Sequence, residues 1–179
     1  MMLQIDHRES HDVDIFLDDP QLLSFLDPAK HDFDFEIRPA DHKGDGTHFL
    51  KLAFENVGEI DFIIASSLTD NPTIDATVEE CQTRLETIPE IITKKIYHRG
   101  TAIKPRDIFD IAAGAEKHGT QIIKALCQYK SHVASALATI EKLNPNFIDG
   151  AIAELAIRPA YSIIACEARL RAKELLAAV

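Results

Sequence analysis

The sequence lacks any apolar run near the roughly 20 residues that a membrane-spanning helix needs, which excludes a helical membrane protein. Its first ten residues, MMLQIDHRES, are too short and too polar for a secretory signal peptide. Cysteine is scarce: Cys81, Cys127 and Cys166 are far apart and odd in number, so they give neither a disulfide framework nor a zinc-site spacing. Internal repeats and low-complexity linkers are also missing. We therefore expect a globular protein of the cytoplasm.

Negative charge, in contrast, is present in excess and is concentrated near the N-terminus. The chain has 179 residues and a net charge of −10. Residues 1–62 carry 15 acidic and 5 basic side chains, whereas residues 63–179 carry 14 of each. An acidic surface repels the nucleic acid backbone and attracts cations. Two interpretations stay open here, a cation-binding site and a merely solvated acidic surface.

The order of the predicted elements indicates an α+β fold. Alternating polar and apolar residues predict strands at 12–17, 33–37, 48–54 and 59–65, and one more short strand between 73 and 85. Helices are predicted at 21–26, 90–98, 106–117, 121–142, 145–154 and 159–177. We expect Gly119 to end the third of these helices. The pattern predicts a small mixed sheet domain over residues 1–88 and a helical lobe over residues 89–179.

Three aspartates in the predicted sheet are candidate metal ligands. Asp12 and Asp14 are two residues apart on one strand, so their side chains point to the same face. Asp61 lies on a later strand, between apolar neighbours that would face the core. Crowded carboxylates repel one another unless a cation lies between them, and magnesium is often held by one or two carboxylates plus substrate phosphates. The alternative, that Asp-x-Asp is only the wet face of an amphipathic strand, stays open.

A short basic segment follows in the helical part. From Lys94 to Arg106 there are five basic side chains and no acidic one. Such a local excess in an acidic protein is a candidate site for phosphate groups. Arg106 and Asp107 open a predicted helix, where a carboxylate suits the helix dipole. A solvated loop followed by an ordinary helix start would give the same pattern.

These acidic and basic residues occur as one ordered set. The set consists of Arg8-x-Ser10-x-Asp12-x-Asp14, Ile60-Asp61-Phe62, Glu90-Ile91-Ile92-x-Lys94-Lys95 and Lys104-x-Arg106-Asp107-x-x-Asp110. It resembles the AbiEii/AbiGii-type nucleotidyltransferases, a family of the polymerase-beta-like nucleotidyltransferase superfamily that includes toxins of toxin–antitoxin systems. The resemblance covers most of residues 7–118 and is most specific from Glu90 to Asp110, whereas the part beyond residue 120 matches only in character.

The resemblance implies a fold, an activity and a set of residue roles. The fold would be a small mixed nucleotidyltransferase-type sheet with flanking helices, followed by a helical lobe. The activity would be metal-dependent transfer of a nucleoside monophosphate from an NTP to an RNA or protein acceptor, by a toxin whose partner is a cognate antitoxin protein. Asp12, Asp14 and Asp61 would hold Mg²⁺ or Mn²⁺, and Asp61 would also be the catalytic residue. The nucleotide would be bound by Ser10, Lys95, Arg106 and Asp107.

The family pattern begins with a Gly-Gly-Ser or Gly-Gly-Thr turn on a helix, whose amides and hydroxyl hold the triphosphate. Here Met1 to Ile5 resembles the tail of that helix, so the resemblance implies either that the chain is N-terminally truncated or that the domain has lost its phosphate-binding turn. Apolar surface exposed by the truncation would favour a homodimer. The alternative function is a degenerate, catalytically inactive nucleotidyltransferase fold that acts as a binding or partner protein.

Overall fold

The computed structural model describes all of residues 1–179 and divides into two compact units. Ser10–Ser67 form one, which we call the sheet unit, while Met1–Glu9 and Leu68–Val179 together form the other, the helical unit. The mixed α+β fold expected from the sequence is confirmed. The division differs from the predicted boundary after residue 88, because residues 1–9 and 68–88 group with the helices.

Six strands and eight α-helices follow one another along the chain. They are α1 (Met2–Ile5), β1 (Asp12–Leu17), α2 (Gln21–Leu26), β2 (Asp41–Gly44), β3 (Phe49–Phe54), β4 (Gly58–Ile64), β5 (Thr73–Val78), β6 (Cys81–Glu86), α3 (Ile88–Arg99), α4 (Pro105–Leu126), α5 (Lys130–Lys142), α6 (Pro145–Ala153), α7 (Ser162–Cys166) and α8 (Ala168–Ala177). None of these helices combines the length and the apolar character that crossing a membrane requires.

The sheet unit is built on a four-stranded mixed sheet with the strand order β1-β4-β3-β2. β1 runs parallel to β4, and the other neighbouring pairs are antiparallel. Because side chains alternate between the two faces of a strand, one face of β3 and β4 is apolar. On that face Leu50 and Leu52 pack with Leu23 of α2 to form the buried core of this unit. The intervening polar residues of the strands therefore lie on the opposite face.

The prediction of a strand at 33–37 is wrong. This segment is irregular and pairs with no other strand, and the fourth strand of the sheet is β2. The alternation that suggested a strand places aromatic rings side by side: the ring centroids of Phe33 and Phe35 are 5.6 Å apart. A two-residue period indicates an extended segment with one apolar side. The sequence alone does not reveal whether the edge of another strand is available to pair with that segment.

Residues 73–86 form the hairpin β5–β6, so the prediction of one short strand in this region is wrong. Val78 pairs with Cys81, so only Glu79 and Glu80 form the turn. Both have positive φ angles, 47° and 67°. Tight turns of this kind usually carry Asn or Gly at these positions. The two glutamates therefore did not indicate a hairpin turn in the sequence.

The helical unit has one large apolar core centred on α4. Residues 108–113 of this helix are almost fully buried, and all of them are apolar except Asp110; α3 and α8 pack along this helix. Local sequence favours these helices: the Thr87 hydroxyl accepts a hydrogen bond from the Glu90 amide at the start of α3, and Pro105 occupies the first turn of α4. Both the residues at their N-termini and the packing of their apolar faces therefore stabilise α3 and α4.

The predicted helix end at Gly119 is wrong, because α4 continues to Leu126. A β-carbon built at Gly119 would meet the Leu175 side chain at an ordinary distance of 3.6 Å, so this glycine simply packs beneath α8. A helical glycine costs about 1 kcal/mol relative to alanine, and this cost is outweighed by the burial of α4 before Gly119, at residues 107–114, and after it, at Ile122 and Leu126. The helices predicted at 121–142 and 159–177 are instead interrupted near residues 127–129 and 167.

We expect Gly58→Ala to destabilise the sheet unit by at least about 2 kcal/mol, a typical cost of a steric clash in a packed site. The φ angle of Gly58 is +145°, and an added β-carbon would lie 2.0 Å from the His11 carbonyl oxygen. Faster hydrogen exchange of the β3 and β4 amides would reveal the loss. Gly150→Ala is the control: Gly150 lies in α6 with open space around it, so alanine should stabilise that helix by about 0.5–1 kcal/mol. Unchanged exchange in Gly58→Ala would contradict the prediction.

Candidate functional site

Four carboxylates share the polar face of the sheet unit, and we call this set the carboxylate face: Asp12, Asp14, Glu59 and Asp61. In the register of β1 and β4, Asp14 lies beside Asp61 and Asp12 lies beside Glu59. Neighbouring strands are about 4.8 Å apart, and side chains paired across them point the same way. The structure therefore brings together on one face the three aspartates that the sequence analysis selected, and it adds Glu59.

One cation lies among these carboxylates. Lys51 of β3 is the cross-strand neighbour of Asp61. Its ammonium group is 3.2 Å from Asp61 Oδ2 and also forms an ion pair with Glu59. The hydrogen bond to Glu59 raises the pKa of Lys51, which keeps the ammonium charged. Lys51 therefore neutralises part of the carboxylate face from the β3 side.

The other oxygen of Asp61 has no partner. Asp61 Oδ1 is buried and accepts no hydrogen bond. Burial raises the pKa of the Asp61 carboxyl, the Lys51 ammonium opposes this rise, and the negative charge of Asp14 adds to it. A buried oxygen without a donor costs free energy, and a carboxylate with a raised pKa is a better base than an ordinary one. Asp61 thus has both an unused ligand atom and a reason to accept a proton or a cation.

These observations test whether the residues fit a magnesium ion. No group of three or more His, Cys, Asp or Glu side chains is already gathered around one point in the structure. Magnesium, however, usually takes only one or two carboxylates and completes its shell with water and substrate phosphates. The neighbouring carboxylates of Asp14 and Asp61, with the unpartnered Oδ1, fit that requirement. Asp12 lies on the same face two residues earlier in β1, beside Glu59.

A second charged cluster lies in the helical unit, around the buried carboxylate of Asp110 in α4. His7 Nε2 and Arg8 Nε each lie 2.8 Å from Asp110 Oδ1, while Arg8 Nη2 and Lys95 Nζ lie 3.2 Å and 2.9 Å from Oδ2. Burial alone would raise the pKa of Asp110, but Lys95, His7 and Arg8 together outweigh it and hold that pKa well below its usual value. Asp110 is therefore ionised and ties residues 7 and 8 to α3 and α4.

The structure gives structural partners to two of the predicted nucleotide-binding residues. The Lys95 ammonium is 2.7 Å from Asp107 and 2.9 Å from Asp110, so two carboxylates already neutralise it. Asp107 is fully buried and also accepts the backbone N–H of Lys104 at the start of α4. Arg106, in contrast, is exposed and forms no ion pair. Ser10 begins the sheet unit, two residues before β1.

The basic segment from Lys94 to Arg106 is less free than its sequence suggested. Lys94 pairs with Glu86 and Glu90, Lys95 pairs with the two α4 aspartates, and Arg99 lies 3.6 Å from Asp107. All of these acids lie outside the acid-free stretch, which is why counting charges within it overestimated the positive surface. Lys104 and Arg106 are the members whose charge is not paired.

Three members of the charged clusters, Lys51, Glu59 and His7, were not predicted from the sequence. Glu59 precedes Asp61 by two residues, and this alternation was the available signal for a fourth carboxylate. No comparable signal existed for Lys51 or His7, because their partners are set by strand register and by packing over a separation of 103 residues. Comparison of this chain with protein-family models, with curated proteins and with solved structures finds no match.

Proposed function

We propose that this protein is a metal-dependent nucleotidyltransferase that transfers a nucleoside monophosphate from an NTP to an acceptor. The observation that carries the proposal is the carboxylate face: Asp14 and Asp61 lie beside each other on parallel strands, and Asp61 has a buried oxygen with no partner. This arrangement supports a divalent cation more readily than a merely solvated acidic strand does, since a solvated strand has no reason to bury a bare carboxylate oxygen.

In this proposal Asp14 and Asp61 hold Mg²⁺ or Mn²⁺, and Asp12 contributes from the neighbouring position on β1. The metal, when bound, neutralises the phosphate charge of the NTP and assists attack at the α-phosphorus. Asp61 accepts the proton of the acceptor hydroxyl while that oxygen forms its bond to the α-phosphorus, and the bond from the α-phosphorus to the bridging oxygen breaks to release pyrophosphate. The placement of Asp61 beside Asp14 is the chain's own contribution to the chemistry.

The resemblance to AbiEii-type toxins supplies the biological part of the proposal. On that basis the chain is the toxin of a toxin–antitoxin pair in the cytoplasm, its partner is an antitoxin protein, and the acceptor is an RNA or a protein. Ser10, Lys95, Arg106 and Asp107 stay predicted nucleotide-binding residues. Among them Arg106 has the strongest support, because its guanidinium is exposed and unpaired, whereas Lys95 and Asp107 already have internal partners.

The direct test is to incubate the purified chain with each of the four labelled NTPs, Mg²⁺ or Mn²⁺, and a cell extract that offers both RNA and protein acceptors. We expect one NTP to label an acceptor, and EDTA to abolish the labelling. Nuclease and protease digestion of the product then identifies the acceptor class. Absence of label with every NTP and both metals would overturn the proposal.

One observation favours the second candidate, a degenerate nucleotidyltransferase fold that binds a partner without turnover. Lys51 and Lys95, the lysines closest to the two acidic clusters, are both engaged by carboxylates of their own unit. If Lys51 permanently took the place of the metal and Lys95 could not bind phosphate, the chain would keep its fold and lose the transfer reaction. Nucleotide binding without any labelled product would support this candidate.

A further inference from the structure

The carboxylate face contains a built-in cation. Lys51 is the single basic residue in β1, β3 and β4, and these three strands carry all four carboxylates of the face. Its ammonium contacts Asp61 Oδ2 at 3.2 Å and pairs with Glu59, and the Lys51 side chain is about one-third exposed at 35%. The ion pairs therefore lie at the edge of water, where they can be exchanged for other partners.

The contacts of Lys51 divide the ligand atoms of the face into two groups. Asp61 Oδ2 and Glu59 are engaged by the ammonium, whereas Asp61 Oδ1 has no partner and Asp14 forms no ion pair. A divalent ion near Asp61 and a lysine ammonium repel each other, since both carry positive charge and share the same carboxylate. Occupancy of this face by metal is thus opposed by Lys51.

We infer that Lys51 is a positioning residue that competes with the divalent metal and keeps Glu59 out of the metal's ligand set. The inference rests on the metal site of the proposed function, and it concerns how tightly that site binds. While Lys51 stays charged, Asp61 Oδ2 and Glu59 remain turned to the ammonium, and Asp12, Asp14 and Asp61 Oδ1 are left for the ion. Without Lys51, all of these oxygens become available.

The test compares Mn²⁺ affinity, measured from the loss of the free-ion signal in electron paramagnetic resonance at one neutral pH. Removing one unit of positive charge at this distance should tighten Mn²⁺ binding about ten-fold in Lys51→Met and in Lys51→Gln, after allowance for solvent screening. Lys51→Arg keeps the charge and should stay within about two-fold of the wild type. Circular dichroism in EDTA verifies that each variant is folded.

Lys43→Met is the matched control. Lys43 is the cross-strand neighbour of Lys51 on β2, so it lies on the same face, but it forms no ion pair. The Lys43→Met substitution removes the same charge one strand further from Asp61, and we expect no more than about a two-fold change in Mn²⁺ affinity. Equal tightening in Lys43→Met and Lys51→Met would overturn the specific role of Lys51, because only the overall charge would then matter.

The outcomes separate this inference from the proposed function. If Lys51→Met binds Mn²⁺ no more tightly than the wild type, the role of Lys51 is overturned while the metal site stands. If neither protein binds Mn²⁺, both are overturned. If only Lys51→Met binds Mn²⁺, the inference is supported and metal-dependent catalysis by the wild type is overturned. If Lys51→Met binds Mn²⁺ more tightly but no NTP labels an acceptor, the inferred role of Lys51 is supported. Only the proposed nucleotidyltransferase activity is then overturned.

Discussion

Asp110→Asn is expected to lower the free energy of unfolding of the helical unit by about 3–5 kcal/mol, the usual cost of breaking a buried ion pair. The substitution removes the carboxylate that pairs with Arg8 and with buried His7, and it leaves Lys95 with Asp107 as its one remaining carboxylate partner. Urea unfolding followed by tyrosine fluorescence measures the effect, because all three tyrosines, Tyr97, Tyr129 and Tyr161, belong to this unit.

The effect should also depend on pH. Because the pKa of folded Asp110 is well below that of the unfolded chain, its stabilisation is complete at neutral pH and is lost only in acid, below about pH 4. The difference between wild type and Asp110→Asn should therefore narrow as the pH falls through that range. Asp149→Asn, on the exposed side of α6 and without an ion pair, should change stability by less than about 0.5 kcal/mol. A loss below about 1 kcal/mol in Asp110→Asn would show that the network is not needed for the fold.

Asp14→Asn and Asp61→Asn are each expected to reduce metal-dependent labelling by at least about 100-fold, because each removes a charge on which the reaction depends. Asp12→Asn should act in the same direction, since it lies on the same face. Stability should barely change or rise by a few tenths of a kcal/mol, because like charges on neighbouring strands are unfavourable. Labelling rates at saturating metal, together with thermal unfolding in EDTA, give both quantities.

Asp18→Asn is the control for this series. Asp18 directly follows β1, is exposed and forms no ion pair, so the same chemical change there should leave labelling intact. Clear thermal destabilisation in both Asp14→Asn and Asp61→Asn would mean that the carboxylates serve the fold, and it would remove the basis of the site. Unchanged labelling in either Asp14→Asn or Asp61→Asn would overturn the proposed reaction.

The sequence predicted the parts of the fold that depend on local pattern. Strand 12–17 and helix 21–26 were predicted with the bounds that the structure has, because each has a regular period and a clear end. The strand expected at 33–37 failed because its partner is a matter of tertiary pairing. The continuation of α4 past Gly119 depends on packing against α8, which the local sequence does not contain.

The same distinction applies to the candidate site. Two-residue alternation was enough to place Asp12 and Asp14 on one face, and apolar neighbours were enough to orient Asp61. The ion pair of Lys51 with Asp61 depends on the register of β3 against β4. The engagement of Lys95 depends on two carboxylates of α4, and nothing near Lys95 in the sequence distinguishes it from a lysine free to bind phosphate.

The pairing of residues 7 and 8 with Asp110 has a consequence for how the chain folds during synthesis. His7 and Arg8 leave the ribosome about a hundred residues before Asp110, and the whole sheet unit is made in between. At about 5–20 residues per second, these two side chains remain without their carboxylate for about 5–20 seconds. The sheet unit can fold in that interval, since all of its strands are already present. The helical unit closes later, so a ribosome stalled before α4 would carry a folded sheet and an unfinished second unit.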